Sequence, residues 1–255
     1  TYPYGMVQFT PSYFSKRSGF VINQLSGGGC EHMGNFPTFP VKGKLKMSPD
    51  NILNYRINIS EEKGHAGYYE AMVQEDIKAK LTVTERTGMA SYEYPADQQY
   101  GTVIIGGGIS ATPIEQAAIV ITAPNKCEGY AEGGNFCGLR TPYKVYFVAE
   151  FDTDALESGT WKRNELKPNT TFAEGEYSGV YFTFDVNKKK NIQYKIGVSY
   201  VSVENARENL KAENTGWDFL QIQNQAESKW NHYLGKIEVE GTNPDRTTQF
   251  YTHLY

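Results

Sequence analysis

A mainly β protein, folded as an antiparallel two-sheet β-sandwich and followed by C-terminal linker helices, is the architecture this 255-residue sequence predicts. Three observations carry it. Tyr and Phe are abundant, at 19 and 13 residues, and aromatic side chains suit the pleated, half-buried surface of a strand. Turn formers are abundant too, with 25 Gly and 11 Pro, and they separate short runs in which apolar and polar residues alternate. Helical periodicity is missing until about residue 202.

In chain order, residues 6–9 are a short apolar strand closed by Pro11, and residues 20–25 are a second strand that runs into Gly27, Gly28 and Gly29. After Pro40, Val41, Gly43, Leu45 and Met47 alternate with Lys42, Lys44 and Lys46, predicting a strand whose lysines face solvent. Tyr55, Ile57 and Ile59 alternate with Arg56, Asn58 and Ser60, and Ile77, Ala79, Leu81 and Val83 with Lys78, Lys80, Thr82 and Thr84. Between these two strands, residues 60–67 predict a turn that opens into Tyr68 and Tyr69. Further strands are expected around 103–105, 118–121, 145–151, 179–186 and 192–201.

From Ser202 the period changes. Residues 205–210 predict a short helix, and Thr215-Gly-Trp-Asp218 resembles a capping box with Asp in place of Glu. Phe219, Ile222, Ala226, Trp230 and Tyr233 follow at spacings of three and four, an amphipathic helix ended by Gly235 as a left-handed cap. After an extended segment at 236–240, Asn243 caps a last helix with Pro244 at its first position. Phe250, Tyr251 and Leu254 lie on one side of it. This apolar stripe is left unpaired, so a further helical module is expected beyond Tyr255; the lack of an initiator Met at Thr1 predicts a segment removed upstream.

A net charge of −4 leaves no basic face for a phosphate backbone, so no nucleic-acid partner is expected. No apolar run approaches the ~20 residues of a membrane span. Of the three cysteines, Cys127 and Cys137 flank a glycine-rich loop and can bridge in an oxidising compartment, leaving Cys30 free; a reduced pair is equally compatible. Catalytic motifs are absent: there is no HExxH, P-loop, GxSxG or CxxC pattern. His32, His65, His232 and His253 are scattered, and the acid pairs Asp152 with Asp154 and Glu61 with Glu62 read as strand ends and turns. Asn58-Ile-Ser60 and Asn169-Thr-Thr171 fit the short glycosylation pattern.

The most suggestive stretch is the glycine triplet. Glycine has no Cβ, so a ligand can approach the main chain there, and the flanks are polar: Asn23, Gln24 and Ser26 before it, Glu31, His32 and Asn35 after. Such a set suits a neutral, hydroxyl-rich ligand. A glycine-rich hairpin or bulge without a ligand fits the same residues.

Pro3-Tyr-Gly-Met-Val-Gln8, Leu25-Ser-Gly-Gly-Gly-Cys30, Gly67-Tyr-Tyr69, Leu81-Thr-Val-Thr-Glu-Arg86, Val145-Tyr-Phe-Val-Ala-Glu-Phe151, Gly197-Val-Ser-Tyr-Val-Ser-Val-Glu-Asn-Ala206, Trp217-Asp218 and Trp230-Asn231 occur in this order. Together they resemble glycoside hydrolase family 92, the exo-acting α-mannosidases, over nearly the whole chain. The resemblance implies a β-sandwich domain over 1–201, a helical linker over 202–235 and, over 236–255, the start of an (α/α)6 catalytic domain. It also implies an inverting reaction run by a Glu acid and an Asp base, and a calcium ion bound mainly by that catalytic domain. The carboxylates lie there as well, so no catalytic residue or metal ligand is expected in the present chain, which by itself should be inactive.

The partners it implies are a mannose-containing glycan and the catalytic domain of the same protein, in a secreted, periplasmic or cell-surface setting of a bacterium. By position, the sandwich should supply a wall of the sugar pocket from Tyr4, Gly5, Asn23, Gln24, Ser26, Gly27, Gly28, Gly29, Cys30, Glu31 and His32. Two departures bear on the linkage cleaved. Only residues 12–18 stand where many members carry a longer insert with Gly-Trp-Asp, and Asn23-Gln24 replaces Thr-His. A non-catalytic carbohydrate-binding sandwich, with exposed tyrosines stacking on sugar rings, and a structural module that binds no sugar are the alternatives.

Overall fold

The computed structural model describes residues 1–12, 19–25, 29–50 and 59–255. Two antiparallel sheets face each other. One has seven strands among the described residues, in the order β1 (Thr10–Pro11), β2 (Phe20–Val21), β3 (Thr38–Lys42), β8 (Tyr100–Gly106), β15 (Ser178–Asp185), β12 (Glu157–Lys162) and β13 (Glu165–Pro168). The other has nine: β14 (Phe172–Glu174), β9 (Ile114–Ala123), β10 (Lys126–Gly133), β11 (Tyr143–Phe151), β16 (Asn191–Ser199), β7 (Thr87–Glu93), β6 (Ile77–Val83), β5 (Tyr68–Val73) and β4 (Ile59–His65). The predicted sandwich is present, followed by three helices.

The core lies between the sheets. Val103, Ile105, Phe182 and Phe184 come from one side, and Leu81, Tyr92, Phe147, Phe151, Tyr194 and Ile196 from the other, all buried in one cluster. Phe151 sits 5.0 Å from both Phe182 and Phe184 and 5.2 Å from Tyr194, ring centre to ring centre, so it joins the two layers. Burying such a ring is worth about 1.5–3 kcal/mol.

Several strands differ from their sequence patterns. Residues 6–9 are extended but hold only scattered ladder bonds, Met6 N to Glu85 O at 2.8 Å and Gln8 N to Ile22 O at 3.0 Å, with Val7 and Phe9 buried. The strand expected over 41–47 is β3, which ends at Lys42 because Gly43 turns at φ 74°. Lys42 is not a free surface lysine, since Asp76 lies 2.9 Å from its ammonium. The turn expected over 60–67 is mostly strand: β4 runs to His65, and only Ala66 and Gly67 make the hairpin turn. As the edge of its sheet, β4 exposes both faces and so shows no alternation. Tyr55, Arg56, Ile57 and Asn58 lie outside the described residues. Conversely, β7 is buried on both faces although Thr87 and Ser91 share its outer side with Met89, because that side is roofed: Met89 packs under Phe219 and Ile222.

Three helices complete the chain. The first, α1 (Val203–Glu213), is capped by Ser202, whose hydroxyl accepts from Asn205 N at 3.0 Å. It rests Ala206 and Leu210 on Val148, and Gly197 below permits that approach, since a Cβ there would lie 2.6 Å from Ala206 O. The second, α2 (Phe219–Leu234), has Asp218 itself as N-cap, accepting from Gln221 N at 3.0 Å. The box expected at Thr215 is therefore displaced by three residues, since an acceptor directly before the first turn reaches its orphan N–H groups. Gly235 does close this helix, but at φ −75°, without the left-handed turn expected of it. The third, α3 (Pro244–Leu254), has Asn243 as cap and Pro244 at its first turn, as expected, and no buried residue.

Two knots tie helices to sheet. The Glu213 carboxylate accepts from Thr84 Oγ1 at 2.5 Å, from Arg86 N at 2.8 Å and from Arg86 Nε. Lys195, almost fully buried, donates to Asn214 O at 2.9 Å beneath the Trp217 ring, and burial pushes its ammonium below the usual lysine range.

The sheet interface generates one expectation: Phe151→Ala should lower unfolding free energy by about 3–5 kcal/mol, read as a shifted urea midpoint with unchanged slope. The β4–β5 hairpin generates another. Tyr68 donates to Glu70 at 2.7 Å, with Lys78 at 3.1 Å and Lys63 at 3.9 Å, and together they hold the Glu70 carboxyl below the carboxylate range, the Tyr68 hydrogen bond contributing most. A depressed folded value means stability that is present above the unfolded pKa of ~4.3 and lost as pH falls through the lower folded one. The melting difference between the parent and Glu70→Gln should accordingly be full near neutral pH and vanish at about pH 2.

Candidate functional site

The expected pocket residues sit at one end of the sandwich, between β2 and β3. Their segment doubles back: Leu25 N donates to His32 O at 3.3 Å, Gly34 N to Asn23 O at 2.8 Å, and Gln24 bridges to Met33. Gly29, Met33, Gly34 and Phe36 all have left-handed backbones, with φ between 52° and 79°. Only the two glycines adopt this at little cost. Ser26, Gly27 and Gly28 lie outside the described residues.

The flanking side chains are built in. Asn23, 5% exposed, accepts from Asn35 N at 2.8 Å and donates to Tyr200 Oη at 3.3 Å. The Tyr143 hydroxyl donates to Asn35 Oδ1 at 3.0 Å; burial pushes its pKa up against the opposing hydrogen bonds to Asn35 and Ser110, keeping it neutral. Gln24 donates to Thr10 Oγ1 at 2.8 Å. His32, 8% exposed, has its ring 5.4 Å from that of Phe136 and 5.3 Å from that of Tyr143. Glu31 and Gly29 are outward.

Cys30 forms a disulfide with Cys137, Cα atoms 5.4 Å apart. This corrects the pairing considered from sequence. Cys127 is on the inward side of β10, fully buried in the core, and burial pushes its thiol far above the usual range. Its side chain points away from the loops where Cys30 and Cys137 meet.

Tyr4 and Gly5 are elsewhere. Tyr4 is 88% exposed and meets Tyr233 edge-on at 5.3 Å, while Gly5 packs against the β6–β7 turn, where a Cβ would lie 3.0 Å from Glu85 O. Two clefts flank α3. One, of about 670 Å³, lies between α3 (Thr247, Tyr251, Thr252) and the sandwich (Gln8, Thr10, His65, Tyr69). The other, of about 300 Å³, is lined by Tyr4, Trp230, Tyr233 and Leu254, and Tyr255 borders both. Gln24 reaches the larger cleft through Thr10; Asn23, Glu31 and His32 line neither. Of the expected residues that are described, Asn23, Gln24 and His32 form a buried polar support, Tyr4 and, through Thr10, Gln24 reach the clefts, and Gly5, Gly29, Cys30 and Glu31 line neither cleft. Tyr143 and the α3 threonines carry no local motif, and Tyr200 lies in the Gly197–Ala206 run without any local sign of this role; only folding brings them to their places. Among the described residues, no three His, Cys, Asp or Glu side chains converge to hold a metal ion, so they do not fit a calcium site.

The N-terminal domain model of glycosyl hydrolase family 92 matches residues 1–199, and the family's catalytic domain model matches 205–255. The second match takes in the helical stretch described above as a linker. An uncharacterized secreted glycosidase of Arthroderma benhamiae is 25% identical over 252 residues, covering 89% of this chain and 32% of its own length. The chain therefore spans about a third of that relative. An inverting mannosidase of the same family from Bacteroides thetaiotaomicron superposes with a TM-score of 0.85 at 24% identity, over 100% of this chain and 36% of its own. An α-mannosidase of the family from the same organism gives 0.81 at 23%, over 100% and 38%. At these identities the likeness is one of fold.

Proposed function

The chain belongs to glycosyl hydrolase family 92, and from that premise we propose that it is the N-terminal part of a calcium-dependent, inverting exo-α-mannosidase that takes terminal α-linked mannose, in the α-1,2 manner, from glycans. One observation carries the reading: both family models match in sequence order and together take in nearly all of the 255 residues. Residues 1–201 are the sandwich, 202–235 the helical connection and 236–255 the start of the catalytic domain.

The sandwich acts as a wall. Its exposed Tyr4, and Thr10 held by buried Gln24 at 2.8 Å, present aromatic and hydroxyl surfaces, which suit an uncharged sugar. Inverting hydrolysis uses two carboxyl groups about 6.5–9.5 Å apart, one protonating the leaving oxygen and one activating water. One acid of each pair that stands out in this sequence is otherwise engaged: Asp152 pairs with Lys189 at 2.7 Å, and Glu62 accepts from Tyr69 at 2.7 Å. We assign the acid, the base and the calcium ligands to the catalytic domain. The Cys30–Cys137 disulfide suits an oxidising compartment, and with the secreted relative it supports a secreted, periplasmic or cell-surface protein.

The test is mannose release from α-linked mannobiosides by the complete protein and by the 255-residue chain, each with calcium and with chelator. Release by the complete protein alone, lost on chelation and restored by calcium, is expected, with Gln24→Ala lowering kcat/KM about tenfold. Turnover by the short chain would overturn this division of labour. Glycan binding without turnover by the complete protein would favour the carbohydrate-binding alternative.

A further inference from the structure

We propose that the Cys30–Cys137 disulfide, with the His32 ring wedged beside it, positions the substrate-facing end of the sandwich, so that breaking the bond weakens substrate binding before it unfolds the domain. The inference rests on the mannosidase reading for its substrate and on geometry for the rest.

The bond joins the two sheets. Cys30 belongs to the segment between β2 and β3, in the seven-stranded sheet, and Cys137 to the loop between β10 and β11, in the nine-stranded one. The Cys137 loop is a tight hairpin in which Phe136 and Leu139 exchange two backbone hydrogen bonds of 2.9 Å. From it, Phe136 and Tyr143 grip the His32 ring from two sides.

This end of the molecule has reasons to open. Among the described residues its base is closed by one bridge, Gln24 with Met33, by bonds of 3.3 Å at Leu25 and Ile22, and by shorter ones of 2.8 Å from Gly34 N to Asn23 O and from Asn35 N to Asn23 Oδ1. Met33, Phe36 and Cys137 hold left-handed backbones without being glycine, a state that persists only where the surroundings over-determine it. His32 Nδ1, Asn35 Nδ2 and Gln24 Oε1 are buried with no hydrogen-bond partner among the described residues. Buried Ile22 and Phe36, whose ring lies 4.2 Å from that of Phe147, anchor the two ends of this segment; at its tip the disulfide and the His32 stack do the holding. An unlinked loop would sample many shapes, and binding would select one of them at a cost in affinity.

Two measurements test this. In the complete protein, Cys30→Ser/Cys137→Ser should raise KM for a mannobioside about tenfold with kcat within about twofold, well below its melting temperature. Unchanged KM with only a lower Tm would overturn the positioning role. The folded parent offers the same comparison if the variant fails to fold. Dithiothreitol reduces the bond, becoming its own cyclic disulfide as two thiols form; KM should rise, then return on reoxidation. Buried Cys127 stays silent to thiol reagents, so a titration should count two thiols. Independently of any substrate, hydrogen exchange in the 255-residue chain should quicken on reduction at the Ile22, Leu25 and Gly34 amides and stay unchanged at β16. Unchanged exchange at those three amides would overturn the inference, whereas quickened exchange in a complete protein without mannosidase activity would overturn the functional reading instead.

Discussion

The dry interface between the two sheets is the constraint on which the other features depend. Side chains alternate along a strand, so burying one face decides the fate of every residue in it. On β10, Cys127 and Ala131 go inward while Glu128 and Tyr130 go out, and Gly129 lies where a Cβ would be 2.1 Å from Ala118 O on the neighbouring strand. That register makes Cys127 a core residue. The other two cysteines, on connections at the same end of different sheets, are then free to link those sheets. The cysteine chemistry thus follows from strand register, which spacing in the sequence does not reveal.

A second layer of order lies on the outside of the nine-stranded sheet. Its central strands would be wet on that face, but α1 and α2 cover them, through Val148 with Ala206 and Leu210 and through Met89 with Phe219 and Ile222. Glycine makes the close approach possible: at Gly67, in the β4–β5 turn, a Cβ would lie 2.7 Å from Ala226 Cβ. The polar knots at Glu213 and Lys195 contribute direction more than stability, since burying charge offsets much of what pairing returns. They tie the end of α1 and the connection to α2 against the sheet.

These features explain what the sequence made legible. Half-buried strands such as β6 alternate openly, and the helix cap at Asn243 lies next to the turn it serves, so both kinds of element could be read locally. Edge strand β4, exposed on both faces, and β7, covered on both, carry no alternation and were hidden for opposite reasons. Of the candidate site, the glycine segment and its polar flanks were visible. Their roles were not, because Asn23, Asn35, Tyr143 and Tyr200 meet across more than a hundred residues of chain. The sugar-facing list merged side chains that look outward with those that hold the end together, a distinction that only burial draws.

The clefts beside α3 also bear on where chemistry can reside. A general acid or base must have a proton free to move, with an affinity tuned near the working pH. The carboxylates around the hairpin and the helices are bound into pairs instead: Glu70 with Tyr68 and Lys78, Glu227 with His65 at 3.3 Å, Glu213 with Thr84 and Arg86. The Tyr68 hydrogen bond and the lysines move Glu70 away from such an affinity, holding its carboxyl low. Threonine hydroxyls and tyrosine rings dominate the remaining surface of the larger cleft. A surface of this kind can orient a sugar and exclude water, and its worth to a reaction lies in holding its shape. On the reading proposed above, a sandwich tied by disulfide, buried amides and ion pairs serves as a rigid wall, and proton transfer falls to the catalytic domain.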